Sequence, residues 1–372
     1  IHCQLLETPL LNMINFQTLI ATKAARVCLA ANREPVLEFG LRRAQGFDGA
    51  LAASRAAYIG GCAGTSNVLA GRFFGIPVKG THAHSWVMAF ESEMEAFLTY
   101  ARTLPNNGIF LVDTYDTLEG VRHAIEAGNR LRENGHEMIG IRLDSGDLAW
   151  LSVQARRMLD EAGFGQAVIV GSGDLDEHII ESLKLQGAAI NGWGVGTRLV
   201  TGYEDPALGG VYKLTAVRWP GNPWEYRVKV SEQAFKSTTP GILQVRRFFS
   251  DDEPIGDVVY DTVRGIGEDC TMVDPLDPTR RKRIPPGTKF GELLVPVISG
   301  GKTVYQPPSI HETRQFAIDQ LDRFHGGVKR LVNPHRYPVG LEEELHDLRT
   351  RMIMQIRERR GGNTAPDSGE NA

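Results

Sequence analysis

Residues 138–147 read MIGIRLDSGD, a short apolar strand that runs directly into a polar loop. The same order recurs in three other strands, centred on Leu111, Ile169 and Asn191. In chain order, a helical pattern follows each of the strands centred on Leu111, Ile141 and Ile169. The strand centres lie about 20 to 30 residues apart, which is typical of repeated βα units. Such units form parallel sheets with helices on both faces. In a chain of enzyme size they predict an α/β fold with a TIM-like βα barrel.

The individual elements are predicted from periodicity, helix-start signals and chain breakers. Strands are expected at 36–39, 109–112, 138–143, 167–170 and 189–193. Helices are expected at 5–31, at 47–58, up to 132, up to 162 and at 174–185. Thr8 followed by Pro9 is a helix-start signal, because proline is well tolerated in the first turn.

The pattern of hydrophobic and polar residues changes after about residue 205 and again after 310. Period-two alternation at 211–214, 226–230 and 243–245, separated by Pro and Gly, predicts antiparallel strands and a second, β-rich domain. The expected organisation follows from these changes: a helical lead-in at 1–33, the α/β barrel at 34–204, the β-rich domain at 205–310, C-terminal helices at 311–360 and a disordered tail at 361–372.

Composition excludes several classes of protein. The 372 residues are 42% hydrophobic and 23% charged, which excludes a wholly disordered or fibrous chain. The net charge of −4 gives no overall attraction to nucleic acid or to an anionic membrane, and no apolar run approaches the roughly 18 residues that a bilayer span requires. Four cysteines form no CxxC pair, which argues against a disulfide framework or a zinc ribbon. A reducing, cytoplasmic location is expected.

Candidate functional residues follow the strand ends, where the loops of a βα barrel share one mouth. They are Asp113 and Asp116, Asp144 and Asp147, Ser172 and Gly173, and Gly194, Gly196 and Thr197. Each aspartate has an alternative interpretation as a helix N-cap. Arg142 requires an anionic partner, either Asp144 or a substrate carboxylate, because an unpaired buried charge is costly. The glycine-rich loops suit phosphate, since their backbone N–H groups can approach an anion closely.

A further candidate segment is residues 80–86, GTHAHSW. His82 and His84 are two residues apart, which is not the i, i+4 spacing of a helical metal pair. They are either ordinary hydrogen-bonding residues or a nucleophile or acid–base group facing phosphates. Aspartates such as Asp113 and Asp144 could hold Mg²⁺ on a diphosphate. Neither a P-loop nor a Rossmann fingerprint is present. The residues alone therefore predict a phosphate-handling α/β-barrel enzyme.

Several motifs, taken in order, resemble the nicotinate phosphoribosyltransferase family. They are EFGLRRAQ at 38–45, GG at 60–61, TSNVLAG at 65–71, GTHAHS at 80–85, VDTY at 112–115, GIRLDSGDL at 140–148, GVGT at 194–197 and LGGVYK at 208–213. The resemblance extends over roughly residues 4–245. It implies an irregular α/β barrel with a second domain, and the conversion of nicotinate and phosphoribosyl diphosphate to nicotinate mononucleotide and diphosphate. This is the ATP-coupled entry step of NAD salvage.

The resemblance also implies roles for residues. His84 would be transiently phosphorylated by ATP, a co-substrate. Thr81 and Arg142 would bind nicotinate, Thr197 the phosphoribosyl phosphate and Arg42 the diphosphate. Ser172, Gly173, Gly194 and Gly196 join them as substrate-binding candidates, and Asp113 and Asp144 as catalytic or Mg²⁺-binding carboxylates. The expected assembly is a homodimer with shared active sites.

Two further expectations come with this resemblance. The family carries a segment ahead of the position of Gln4, so the 372-residue chain is expected to be unstable or weakly active compared with an extended protein. The alternatives are a nicotinamide-specific relative, the more distant quinolinate phosphoribosyltransferase, and a truncated, non-catalytic relative that binds nucleotides. The GIRLDSGD and GTHAHS motifs favour the acid-specific group.

Overall fold

The computed structural model describes residues 2–231 and 237–361. Contacts divide the chain into two compact units. The first contains residues up to 210 together with 308–320, and the second contains residues 211–307 and those from 321 onward. The lead-in segment 1–33 thus belongs to the same unit as the parallel sheet. The expected tail at 361–372 lies outside the described residues except for Gly361.

The first unit is built on a six-stranded parallel sheet. Its strands are β1 Val36–Glu38, β2 Gly64–Thr65, β3 Ile109–Leu111, β4 Gly140–Leu143, β5 Val168–Gly171 and β6 Gly192–Val195. They are ordered β2-β1-β6-β5-β4-β3. Most of their side chains are buried, and those of Phe110, Ile141, Ile169 and Trp193 fully so, as a parallel sheet covered by helices requires. The predicted α/β class is confirmed.

An extended segment lies between the two edge strands of this sheet. Residues 77–79 pair with β2 through a parallel bridge between Thr65 and Val78. On the other side, the Leu111 N–H of β3 donates to the ring of His82 at 3.2 Å. Residues 77–82 therefore link both edges, and the irregularity of the barrel is located here.

Helices cover the sheet and form the rest of this unit. They are α1 His2–Ala30, α2 Gly46–Ile59, α3 Val68–Phe74, α4 His84–Val87, α5 Glu93–Thr103, α6 Thr117–Glu133, α7 Leu148–Glu161, α8 Glu177–Leu185 and α9 Thr197–Val200, with two 3-10 turns at Leu41–Arg43 and Pro105–Asn107. A further helix, α10 Ile310–Arg323, begins in this unit. No helix within residues 2–231 and 237–361 has the length and apolarity of a membrane span.

Several predicted bounds in this unit were wrong. Helix α1 begins at His2, three residues before the predicted start, and Pro9 lies inside it and not in its first turn, because proline removes only one intrahelical hydrogen bond. The strand predicted at 189–193 starts at Gly192, since the side chain of Asn191 first accepts a hydrogen bond from the Ile169 N–H at 2.8 Å. Helix α8 starts at Glu177, where Asp176 caps it through the Ile179 N–H.

The second unit contains a mixed sheet. Its strands are β9 Leu243–Ser250, β10 Glu253–Asp261, β11 Cys270–Val273, β12 Arg281–Ile284, β13 Phe290–Glu292 and β16 Val339–Glu342, in the order β12-β11-β16-β10-β9-β13. Two small hairpins add β7 Ala216–Val217 with β8 Glu225–Tyr226, and β14 Ile298–Ser299 with β15 Lys302–Thr303. A core of Phe248, Val258, Cys270, Met272 and Ile284 lies on the main sheet. The predicted β-rich second domain is confirmed.

Two expectations for this part of the chain were wrong. Residues 211–214 form no strand, and the pairing predicted at 226–230 is limited to Glu225–Tyr226. The C-terminal helices expected at 311–360 correspond to α10 and to α11 Glu343–Gly361, and between them Val339–Glu342 forms a strand that pairs with β10 and β11. The prolines at 334 and 338 interrupt the helical pattern and favour extended backbone at the residues before them.

Candidate functional site

A cavity of about 790 Å³ opens at the carboxyl ends of the parallel strands. Its walls come from the loops after β1, β4, β5 and β6 and from the segment leading into α4. Asp113, Asp116 and Asp147 do not line it, whereas the following predicted site residues do: Arg42, Thr81, His84, Arg142, Asp144, Ser172, Gly173, Gly194, Gly196 and Thr197. The sheet topology thus brings together residues that are far apart in sequence, as expected for the mouth of a βα barrel.

Arg142 lies at the end of β4 with a largely buried side chain. Its Nη1 donates to Thr81 Oγ1 at 2.6 Å, and its Nη2 lies 3.5 Å from Asp144 Oδ1. Its Nε is buried and has no hydrogen-bond partner among the described residues. Burial lowers the pKa of the Arg142 guanidinium, and the charges of Asp144 and Asp113 oppose this shift. A buried donor without a partner is costly, so Arg142 is suited to an anionic ligand.

Asp144 is the carboxylate in the middle of this arrangement. Its Oδ1 accepts a 2.5 Å hydrogen bond from Ser172 Oγ, on the loop after β5. Its Oδ2 lies 3.7 Å from His84 Nε2. Because Arg142 approaches the same carboxylate, Asp144 connects three elements of the cavity through its two oxygens.

His84 begins the short helix α4 and is partly exposed to the cavity. Its Nδ1 lies 3.1 Å from Thr114 Oγ1, and its Nε2 is the atom nearest to Asp144. A hydroxyl on one ring nitrogen and a carboxylate near the other orient the imidazole, which is the arrangement that a reactive histidine requires.

Asp113 follows β3 but does not line the cavity. Its Oδ2 accepts hydrogen bonds from the Asp144 N–H at 2.9 Å and from Ser145 Oγ at 2.6 Å. Its Oδ1 is buried without a hydrogen-bond partner among the described residues. Asp113 therefore holds the loop that carries Asp144. The alternative interpretation as helix caps holds for Asp116 and Asp147, which accept from the N–H groups of Glu119 and Trp150.

The glycine-rich loops allow close packing around the cavity. A Cβ at Gly194 would lie 2.6 Å from the ring of Phe39, and a Cβ at Gly173 would lie 2.1 Å from the carbonyl oxygen of Asp144. Gly173 also has a φ of +92°, a conformation that side chains rarely adopt. Both glycines are therefore required by the packing of the cavity walls, irrespective of any ligand.

Sequence reasoning missed several residues of the site. Phe39, Arg43 and Ser66 line the cavity, and the Phe39 ring centroid lies 5.8 Å from Arg142 Cζ. His82, whose role the sequence left open, lines it as well. Phe39 could have been found from the sequence, because it directly follows a strand, as the candidate polar residues do. His82 is buried, and burial lowers its pKa to about 4.

Glu38 is a further missed residue, buried beneath the loop that carries Arg42. Its Oε2 accepts hydrogen bonds from Ser54 Oγ at 2.8 Å and Thr65 Oγ1 at 2.6 Å, and its Oε1 accepts from the Gly40 N–H. These donors satisfy a carboxylate that has no cationic partner within the described part of the chain. Glu38 thereby fixes the start of the Leu41–Arg43 turn.

One cluster outside the cavity has metal-ligating side chains. Glu177, His178 and Glu204 present ligand atoms within 4.8 Å of one another. However, Lys23 Nζ lies 2.7 Å from Glu177 and 3.4 Å from Glu204, and Arg26 pairs with Glu177 as well. Because cations of the chain already neutralise these carboxylates, this cluster is a structural ion-pair network.

Two family models match this chain. The model "Nicotinate phosphoribosyltransferase (NAPRTase) family" matches residues 35–224, and "Nicotinate phosphoribosyltransferase C-terminal domain" matches residues 244–349. Among curated proteins, nicotinate phosphoribosyltransferase of Bacillus subtilis (strain 168) is 44% identical over 370 residues, covering 96% of this chain and 74% of the relative. The protein of that name from Homo sapiens is 33% identical, covering 93% and 74%.

Solved structures agree with these sequence matches. The crystal structure of human nicotinic acid phosphoribosyltransferase superimposes with a TM-score of 0.78 at 30% identity, covering 94% of this chain and 77% of the human one. Nicotinate-nucleotide pyrophosphorylase from Pyrococcus furiosus superimposes with a TM-score of 0.65 at 24% identity, covering 85% and 73%, a similarity of fold.

Proposed function

This chain belongs to the nicotinate phosphoribosyltransferase family, and on that premise we propose that it transfers the phosphoribosyl group of phosphoribosyl diphosphate to nicotinate. The products are nicotinate mononucleotide and diphosphate, and the reaction is a step of NAD salvage. One observation carries the proposal: Arg142, whose buried Nε has no hydrogen-bond partner within residues 2–231 and 237–361, lies in the same cavity as His84 and the glycine-rich loops at Gly173 and Gly194.

Arg142 and Thr81 form the proposed nicotinate end of the cavity. The guanidinium is held by Thr81 Oγ1, and its remaining donors are suited to the two oxygens of a carboxylate. The ring of Phe39 is within reach of the same guanidinium and offers an apolar face to the pyridine ring. A nicotinamide would bring no negative charge to Arg142, which favours the acid over the amide as substrate.

The phosphoribosyl group occupies the other part of the cavity in this proposal. Ser172, Gly173, Gly194, Gly196 and Thr197 supply hydroxyl and backbone donors without side-chain bulk at the glycines. Arg42 is exposed at the rim, where it is available to the diphosphate. The two anionic ends of phosphoribosyl diphosphate would thus meet separate sets of donors.

In the reaction, the pyridine nitrogen forms a bond to ribose C1 while the bond from C1 to the diphosphate oxygen breaks. Positive charge develops on the ribose ring and negative charge on the leaving group. Asp144, fixed by Ser172 and Arg142, is the cavity carboxylate placed to stabilise the positive charge on the ribose ring. Arg42 would stabilise the negative charge on the leaving diphosphate. Arg142 orients nicotinate, so that its nitrogen, and not its carboxylate, meets C1.

A Mg²⁺ ion is part of the proposal. Asp144 suits it, because carboxylate and phosphate oxygens are the ligands that this ion prefers. Asp113 fits less well, since one of its oxygens binds the Asp144 loop and it does not line the cavity, although its Oδ1 is unpartnered within the described residues. When bound, Mg²⁺ would neutralise charge on the diphosphate.

ATP coupling through His84 is also proposed. With Nδ1–H donating to Thr114 Oγ1, Nε2 would carry the lone pair and could attack the γ-phosphorus of ATP, with ADP as the leaving group. Hydrolysis of the resulting phosphohistidine would release phosphate. A negative charge on His84 would lie close to Asp144, 3.7 Å away, and would change the electrostatics at the diphosphate side of the cavity. A homodimer with shared active sites and a cytoplasmic location complete the proposal and rest on the family resemblance.

The proposal is tested by adding nicotinate to the purified chain with phosphoribosyl diphosphate, ATP and Mg²⁺. We expect release of diphosphate that depends on nicotinate, with nicotinate mononucleotide as the product. Arg142→Ala should abolish this release, whereas Arg130→Ala, which removes an exposed arginine outside the cavity, should not. Turnover that prefers nicotinamide, or no dependence on either base, would contradict the proposal.

A further inference from the structure

The parallel sheet has a gap between its edge strands β2 and β3. Residues 77–82 cross this gap, but they bind the two strands in different ways. On the β2 side, backbone groups pair: the Thr65 N–H donates to Pro77 O at 3.1 Å, and the Lys79 N–H donates to Thr65 O at 3.0 Å. On the β3 side, no backbone–backbone hydrogen bond joins the described residues 79–83 to 108–112. Backbone pairing therefore stops halfway across the gap.

Two side chains complete the link to β3. Asn107 Nδ2 donates to Gly80 O at 3.2 Å, and His82 Nε2 accepts from the Leu111 N–H at 3.2 Å. Leu111 is paired with β4 on its other side, so its N–H is the edge donor of the sheet. His82 satisfies that buried donor, as a neighbouring strand would do.

The imidazole of His82 is held firmly in this position. Only 7% of the residue is exposed, and three aromatic rings surround it, with centroids 5.6 Å away for Phe97, 4.9 Å for Tyr100 and 6.5 Å for Phe110. Its Nδ1 lies 3.5 Å from the Ala83 carbonyl oxygen. Because Nε2 accepts, the ring is the tautomer with its proton on Nδ1.

We propose that His82 is a positioning residue for the reaction: its imidazole replaces the missing strand pairing to β3 and thereby fixes Thr81 and His84 in the cavity. The inference rests on the proposed function, since it assigns His82 to the same site. It does not assign His82 any contact with substrate.

Contacts on both sides of His82 connect it to the reacting groups. Thr81 Oγ1 donates to the His82 carbonyl at 3.0 Å and accepts from Arg142 at 2.6 Å. His84, two residues further along, begins α4 and meets Thr114 on the loop after β3. A shift of residue 82 away from β3 would therefore displace the partner of Arg142 and the proposed phosphorylation site together.

A matched pair of variants separates the hydrogen bond from the packing. His82→Gln keeps an acceptor oxygen near the position of Nε2, whereas His82→Phe keeps a ring among the three aromatic residues but has no acceptor. We expect His82→Phe to lower kcat/KM for nicotinate by about 10- to 100-fold, with a raised KM and slower labelling of His84 by ATP. We expect His82→Gln to stay within about 5-fold of the unaltered chain.

Two outcomes would overturn the inference while leaving the proposed function intact. One is a His82→Phe variant as active as the unaltered chain. The other is equal loss in both variants, because the acceptor oxygen that His82→Gln retains would then make no difference to activity. If instead the unaltered chain shows no nicotinate-dependent release of diphosphate, it is the proposed function that fails.

If His82→Phe does not fold, the inference can still be tested on the unaltered chain by a measurement that does not depend on activity. Long-range ¹H–¹⁵N spectra of the ¹⁵N-histidine-labelled chain report which ring nitrogen carries the proton. We expect His82 to carry it on Nδ1, with Nε2 unprotonated. A proton on Nε2 would exclude the hydrogen bond from Leu111 and overturn the inference.

Discussion

Asp113 Oδ2 accepts a 2.9 Å hydrogen bond from the backbone N–H of Asp144, so the carboxylate that follows β3 fixes the loop that follows β4. Ser145 Oγ donates to the same oxygen. The Asp144 carboxylate, which meets Ser172, Arg142 and His84, is thus supported by a residue outside the cavity. Loss of this support should change catalysis without removing any group that touches substrate.

We expect Asp113→Ala to lower kcat/KM by about 10-fold or more, because the Asp144 loop loses both hydrogen bonds. Stability should fall by about 1–2 kcal/mol, measured by urea unfolding. Asp113→Asn is the matched control, since its amide oxygen can still accept from the Asp144 N–H. Full activity of Asp113→Ala would show that the loop holds its position unaided.

Arg142→Lys should raise the KM for nicotinate by about 10-fold or more, because an ammonium lacks the planar fork that meets both carboxylate oxygens. Steady-state kinetics with nicotinate varied at saturating phosphoribosyl diphosphate measure this. Arg130→Lys, on an exposed helix end, is the control and should leave KM unchanged. An unchanged KM in Arg142→Lys would place the nicotinate carboxylate elsewhere.

Gly194→Ala should weaken nicotinate binding, because the added methyl group would lie 2.6 Å from the Phe39 ring and displace it. We expect the KM for nicotinate to rise by about 10-fold and stability to fall by about 1–3 kcal/mol. Gly49→Ala, where a Cβ has open space around it, serves as the control in the same assays. Equal behaviour of the two variants would contradict the packing described for Phe39.

Burial lowers the pKa of His82 to about 4, below the ordinary value of about 6.5. Arg142 and His84 act in the same direction, while the Ala83 carbonyl opposes it, and Tyr100 packs against the ring. Between these two pH values the unfolded chain binds a proton that the folded chain does not. The contribution of His82 to stability is therefore complete above about pH 6.5 and falls by up to about 3 kcal/mol as the pH decreases to 4.

This pH dependence is measured as the difference in unfolding free energy between the unaltered chain and His82→Phe at several pH values. The difference isolates His82 from other groups such as Glu93, whose pKa burial raises and whose contribution therefore has the opposite sign. We expect the stability of the unaltered chain to decrease more steeply below pH 6.5. Parallel curves would indicate that His82 titrates normally in the folded protein.

The sequence predicts those parts of the site that depend on local pattern and on a general property of parallel sheets. Arg142, Asp144, Ser172 and Thr197 could be brought together because loops at the carboxyl ends of such strands share one edge. Asp113 follows the same pattern but turns toward the neighbouring loop, and the direction of a single side chain is not encoded in strand spacing.

The residues that were missed depend on distant partners. Glu38 is a satisfied buried carboxylate only because Ser54, Thr65 and Gly40 donate to it. His82 was named from the sequence, but its role was left open, because it depends on the Leu111 N–H, which has no strand partner among the described residues. The strand Val339–Glu342 forms because β10 and β11 pair with it, although it lies between two helical patterns. Pairing over such distances cannot be deduced from local periodicity.

The most direct test of the account is a crystal structure of the chain with nicotinate mononucleotide. We predict that the pyridine carboxylate lies within hydrogen-bond distance of Arg142, beside Phe39, and that the phosphate is bound by the loops at Ser172–Gly173 and Gly194–Thr197. A mononucleotide bound outside this cavity, or bound with its phosphate on Arg142, would contradict the account.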